Sequence, residues 1–144
     1  MDPKSNKITI ETLIQAPIEK VWECWNSPEH ITQWCQASDD WHAPFAENDL
    51  RAGGTFKTTM AAKDGSFSFD FEGIYTQVGE FEHIEYTMSD GRTVSISFSS
   101  DGKTTRVVET FQPENENPPE MQKAGWQAIL DNFRRYTESI ANPS

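Results

Sequence analysis

Cysteine is scarce in this 144-residue chain, with Cys24 and Cys35 the only two. Two thiols are too few for a disulfide framework, and without a second pair they make no zinc site. A reduced, cytoplasmic setting is the expectation. Long apolar runs are missing as well. No stretch approaches the roughly 18–20 apolar residues of a membrane span, and the opening MDPKSNK carries no apolar leader. Positive charge is in short supply: 12 Lys and Arg face 23 Asp and Glu, for a formal net charge of -11. That field repels phosphate backbones and anionic lipid, and Arg134-Arg135 is the only adjacent basic pair, so no nucleic-acid partner is expected. There is no internal repeat, no phosphate-cradling glycine loop and no Ser-His-Asp arrangement tied to a recognisable turn. No metal and no cofactor are expected.

Aromatic residues, by contrast, are plentiful at 12%: five Trp, nine Phe and three Tyr. They supply either a well-packed core or, in surplus, the walls of a cavity for an apolar ligand. A chain of this length suits one domain, residues 1–144.

The residues from Ile8 to Gln15 alternate as a strand, with Ile8, Ile10, Thr12 and Ile14 on one face. Ala16-Pro17 predicts a helix start with Pro at the first helical position, and Val21, Trp22 and Trp25 follow at helical spacing. Ser27-Pro28-Glu29 repeats the signal, a side-chain oxygen cap before Pro, and predicts a second short helix through Ile31 and Trp34. From Trp41 to Gln112 the period is two. Phe67, Phe69, Phe71, Gly73 and Tyr75 share a face, as do Ile84, Tyr86 and Met88, and then Val94, Ile96 and Phe98. The dipeptides Asp64-Gly65, Asp90-Gly91 and Asp101-Gly102 join these runs as tight turns. The pattern is an antiparallel meander, one curved sheet with one wet face. Gly53-Gly54 reads as a bend at a strand entry. After a polar, Pro-rich break, a helix is predicted over about Pro119–Ser139. Its apolar stripe is Gly125, Trp126, Ile129, Leu130, Phe133, Tyr136 and Ile140, opposite Lys123, Gln127, Asp131, Arg134 and Glu138. The phenylalanine-rich face of the sheet is its natural mate.

An ordered set of short signatures runs through nearly the whole chain: Ala16-Pro17 with Val21-Trp22, then Ser27-Pro28-Glu29-His30 with Trp34, then Asp49 to Phe56, Gly73-Ile74-Tyr75, and Gly125-Trp126 with Leu130. In these the chain resembles the SRPBCC, or START-like, helix-grip superfamily, and within it the branch related to the C-terminal domain of the heat-shock-protein-90 ATPase activator. Ala52 stands where that branch usually has Pro, and Cys35 where a second Trp often follows. The resemblance implies an α+β helix-grip fold: a curved antiparallel sheet wrapped around a long C-terminal helix, two short helices after the first strand, and a tunnel between sheet and helix. It implies binding of a small apolar, lipid-like or polycyclic molecule. It also admits a chaperone-partner role in stress response, or a cyclase, dehydratase or hydrolase acting inside the cavity.

The expected lining comes from the sheet residues Phe56, Phe67, Phe69, Phe71, Tyr75, Tyr86, Met88 and Phe98, and from Trp126, Ile129 and Phe133 on the helix. Trp34 and Trp41 are placed at the mouth. Gln122 either points into one end as an orienting polar group or is solvated beyond the sheet edge. Candidates for chemistry are few. His42, in Asp39-Asp40-Trp41-His42, is either on a solvated loop or at the cavity mouth as a base. Glu109 shares a face with Val107 and Phe111, which inward would make it a costly carboxylate, a general acid or a ligand anchor; Val108 and Thr110 fit the inner face equally well. His30 and His83 are expected on the surface, and Cys24, between Trp22 and Trp25, in the core.

Overall fold

Alternation and Pro punctuation build this molecule in chain order. The computed structural model describes residues 7–35, 40–113 and 118–141. Strand β1 (Ile8–Ile14) leads into helices α1 (Ile18–Asn26) and α2 (Pro28–Trp34), then strands β2 (Trp41–Asn48), β3 (Thr55–Ala62), β4 (Ser68–Gly79), β5 (His83–Met88), β6 (Thr93–Ser100) and β7 (Thr105–Phe111), and last helix α3 (Pro119–Ala141).

Pro17 lies one position earlier than its signal predicts. It is the cap itself, extended at φ -70°, and Ile18 is the first helical residue. Ser27 both ends α1 and begins α2. Its amide donates to the Glu23 carbonyl, while its own carbonyl receives the amides of His30 and Ile31 at 2.9 Å. Its hydroxyl makes no capping bond, so the expected side-chain cap gives way to a backbone one, with Pro28 in the first turn behind it.

The seven strands form one antiparallel sheet in the order β1-β7-β6-β5-β4-β3-β2. Strands β2 to β7 are the meander, and β1 closes onto β7, with Ile10 opposite Glu109. Gly65, Gly91 and Gly102 turn the hairpins at φ of 79°, 94° and 101°, a conformation that favours glycine. Register shifts between His42 and Phe45 and between Tyr75 and Gln77 place irregularities in β2 and β4. Such bulges bend and twist a sheet, and this one curls into a half-barrel.

The long helix does not touch the whole concave face. It packs along β1 and against α1 and α2. Gln127 donates to the Glu11 carbonyl at 3.3 Å, and the Gln15 amide donates to Glu138 at 2.9 Å. The fully buried core lies at this end, in Ile14, Val21, Ile96, Val107, Leu130 and Phe133. Strands β3, β4 and β5 arch away from the helix. No helix among the described residues is long and apolar enough to cross a membrane.

Candidate functional site

The arch leaves a cavity of about 500 Å³. Period-two alternation supplies its roof: Phe56, Thr58 and Met60 from β3, Phe69, Phe71 and Tyr75 from β4, and Ile84, Tyr86 and Met88 from β5. Helix α3 supplies the floor through Gln122, Trp126, Ile129 and Leu130, whose spacing keeps them on one stripe. Trp25, Ile31, Trp34 and Cys35 close one end, and Asp70, Glu72, Ser89, Asp90 and Arg92 stand at the rim. A second space of about 320 Å³ shares Met60, Phe69, Gln122, Trp126 and Ile129 and adds Trp41, Met121 and Gly125. The hollow therefore continues outward between β2–β4 and the start of α3.

Aromatic edges organise the walls. Phe56 has its centroid 4.7 Å from Tyr86, 5.2 Å from Tyr75 and 5.7 Å from Phe71. Trp126 stacks on Phe111 at 3.9 Å, almost parallel, and meets Phe71 edge-on at 6.0 Å. That stack pins the N-terminal half of α3 against β7, and this half of the helix then faces the void. Trp34 donates its indole N–H to the Cys24 carbonyl at 2.8 Å. The Tyr75 hydroxyl donates to Asn48 Oδ1 at 2.5 Å, and Asn48 Nδ2 donates to the Asn26 carbonyl at 2.7 Å, tying β4 and β2 to the end of α1.

The electrostatics of the cavity centre on Glu109. It is 6% exposed and lines the cavity from β7. Burial pushes its carboxyl up to about 8, so the neutral acid dominates at neutral pH. Its neighbours move the same way. Burial pushes the Cys35 thiol up to about 12, with the Glu109 charge adding to the rise. Tyr86 is raised well above its ordinary value, first by burial and then by Glu109. Among the described residues Cys35 has none of the cationic company that would make a nucleophilic thiolate. At the rim Arg92 is bound to Asp90 at 2.7 Å.

Of the residues expected to line the cavity, Phe56, Phe69, Phe71, Tyr75, Tyr86, Met88, Gln122, Trp126 and Ile129 do so, and Trp41 lines the outer extension; Trp34, expected at the mouth, lines it from a buried position that closes one end. Gln122 is buried rather than solvated, because α3 begins beneath the arch. Three expectations need correction. Phe98 and Phe133 belong to the closed core: Trp22 covers Phe98 at 5.1 Å, and Trp25 and Trp34 each sit 4.8 Å from Phe133, filling the space beside it. Phe67 precedes β4 and is 58% exposed, against Trp41 and Phe69 outside the cavity. Of its two expected settings His42 takes the solvated one, exposed on β2 rather than on a loop, because Ala43 takes the buried position next to it; Asp39 lies outside the described residues. Among the described residues no cluster of His, Cys, Asp and Glu is arranged to hold a metal.

His30 also departs from expectation. Instead of facing solvent it bonds to the Tyr136 hydroxyl at 2.6 Å and to Glu23 at 3.1 Å, fastening α2 to α3 and α1. His83 pairs with Glu85 at 2.8 Å, away from the cavity. Cys24 is fully buried. Sequence patterning alone missed Trp25, Cys35, Thr58, Met60 and Arg92. Thr58 and Met60 share the parity of Phe56, a signal that was available; Arg92 follows a turn and had none.

A family model described as Activator of Hsp90 ATPase homolog 1-like protein matches residues 15–138. The solution structure of an AHSA1-like protein from Aeromonas hydrophila is 48% identical, with 93% of each chain covered and a TM-score of 0.87. A solution structure from Cytophaga hutchinsonii is 59% identical over 96% of each chain, with a TM-score of 0.81. A crystal structure from Nitrosomonas europaea shares the fold at 17% identity, covering 97% of this chain and 98% of that one, with a TM-score of 0.80. No curated protein matches the chain.

Proposed function

The chain belongs to the Activator of Hsp90 ATPase homolog 1-like family, and from that premise and the cavity we propose that it binds a small apolar molecule, lipid-like or polycyclic, between the sheet and α3. The observation that carries the reading is the hollow itself. About 500 Å³ of space walled by aromatic rings is well within the range of small-molecule sites. Water is poorly held against apolar walls, and an occupant gains roughly 25 cal/mol for each Å² of apolar surface it removes from water, less the cost of its own immobilisation.

Titration with a neutral naphthalene fluorophore tests this, read through its emission and that of Trp34 and Trp126 at the walls. Saturable binding is expected, with competition from flat apolar compounds. Ile129→Trp, which adds a ring where α3 faces the cavity, is expected to weaken binding at least about tenfold while the fold is kept, because a filled hollow has no surface left to offer. Absence of saturable binding across a broad apolar panel, or full affinity in Ile129→Trp, removes the proposal.

A further inference from the structure

Among the described residues, polar groups that line the cavity are left without a partner, Glu109 and Tyr86 foremost. Glu109 is more than nine-tenths buried, and among the described residues no hydrogen bond or ion pair reaches its carboxyl or the Tyr86 hydroxyl. Polar groups that face an apolar cavity with no protein partner carry a desolvation cost, and an occupant that meets them relieves it. Their surroundings indicate the sign of the missing partner. At the rim Asp70, Glu72 and Asp90 outnumber Arg92, which is already engaged with Asp90, and Asp70 is met from outside the lining by Lys57 at 3.6 Å. The whole chain is at -11. The faces and edges of Phe56, Phe71, Tyr75, Tyr86 and Trp126 surround the space, and aromatic faces attract cations.

We infer that the occupant of this cavity carries an amine on its apolar body, and that Glu109 receives the ammonium as a carboxylate with the Tyr86 oxygen as a second acceptor. The inference rests on the apolar-ligand reading above and specifies the ligand's polar end. The step balances as a proton release. The neutral Glu109 acid and the ligand's ammonium become a carboxylate–ammonium pair, and the acid's proton goes to solvent. The titratable and charged groups that share the space with Glu109 are Tyr86 from β5, Tyr75 from β4, Cys35 after α2, and Asp70, Glu72, Asp90 and Arg92 at the rim. Cys35, Tyr75 and Tyr86 are all held neutral by burial to well above pH 8. From β1 and β6 the neighbours opposite Glu109 are Ile10 and Ile96, and α3 presents no charge to the cavity. Glu109 is therefore the group whose charge changes near pH 8.

The test is calorimetric titration of the protein with naphthylmethylamine and with naphthylmethanol, matched in body and differing in the ammonium. The amine is expected to bind more tightly than the alcohol at about pH 8. Its affinity should fall about tenfold for each pH unit below that, with about one proton released on binding, as measured in buffers of different ionisation enthalpy. The alcohol should show no such slope. Glu109→Gln should abolish both the slope and the amine's advantage and still bind the alcohol, which also shows that the variant is folded. Equal affinities with no proton release overturn the inference and leave the apolar-ligand reading standing. An affinity for the alcohol that falls as pH rises through 8 overturns it in favour of a neutral Glu109 donating to a ligand oxygen. If neither compound binds, both readings fall together.

Discussion

Glu109 makes the folded state sensitive to pH without any ligand. Its carboxyl has an ordinary value of 4.5 and is pushed up to about 8 by burial. A raised value means that the folded chain holds its proton more tightly than the unfolded chain does. The stabilising contribution is complete below about pH 4.5 and is lost as pH rises through 8. A difference of one pH unit between the folded and unfolded values is worth about 1.4 kcal/mol, so the loss amounts to a few kcal/mol at most. Glu109→Gln, which keeps the shape without the charge, is expected to match the native chain near pH 5 and to exceed its stability near pH 8 by about 2–4 kcal/mol. Urea denaturation at the two pH values measures it, and an equal difference at both would contradict it. The face on which Glu109 sits was not legible in the sequence. Val108 lies between Val107 and Glu109, and both parities of β7 carry apolar groups because its outer face is itself half-covered. Only the pairing of β7 with β1 and β6 turns Glu109 inward.

Among the elements, β3 and β4 depend on one absent side chain. Gly73 pairs with Phe56, and a Cβ there would come within 2.7 Å of the Thr87 carbonyl and 3.0 Å of the Phe56 ring. Backbone cannot yield easily, and Phe56 is the ring on which Tyr75, Tyr86 and Phe71 meet. Gly73→Ala is therefore expected to destabilise the chain by about 1–3 kcal/mol, read as a lower urea midpoint with an unchanged slope. A neutral result would mean that the sheet relaxes more readily than this packing allows. The hairpins were legible because Asp-Gly is a local signal whose glycine takes the turn conformation unaided. The stripe of α3 was legible for the same reason. Which part of the stripe meets the cavity was not: Trp126 and Ile129 face the void and Phe133 does not, because the rings of α1 and α2 close over the helix only at its far half.

For the whole molecule, the excess of 23 acidic over 12 basic residues makes self-repulsion a general opponent of the compact state. Raising salt from about 0.01 M to about 0.15 M shortens the screening length from roughly 30 Å to roughly 8 Å. The thermal midpoint should therefore rise by a few degrees. A falling midpoint would mean that the surface pairs, such as Arg134 with Glu138 and Lys57 with Asp70, outweigh the excess. By itself the sequence determined what near neighbours along the chain can decide: the period of each segment, the position of each turn, the apolar stripe of the last helix and the sign of the charge. Tertiary structure alone decided that the bulged sheet leaves the helix along β3–β5, that Phe98 and Phe133 are sealed by tryptophans, and that Glu109 faces the hollow. A cavity is the difference between two curvatures, and no local rule of sequence encodes the distance between surfaces brought together from opposite ends of the chain.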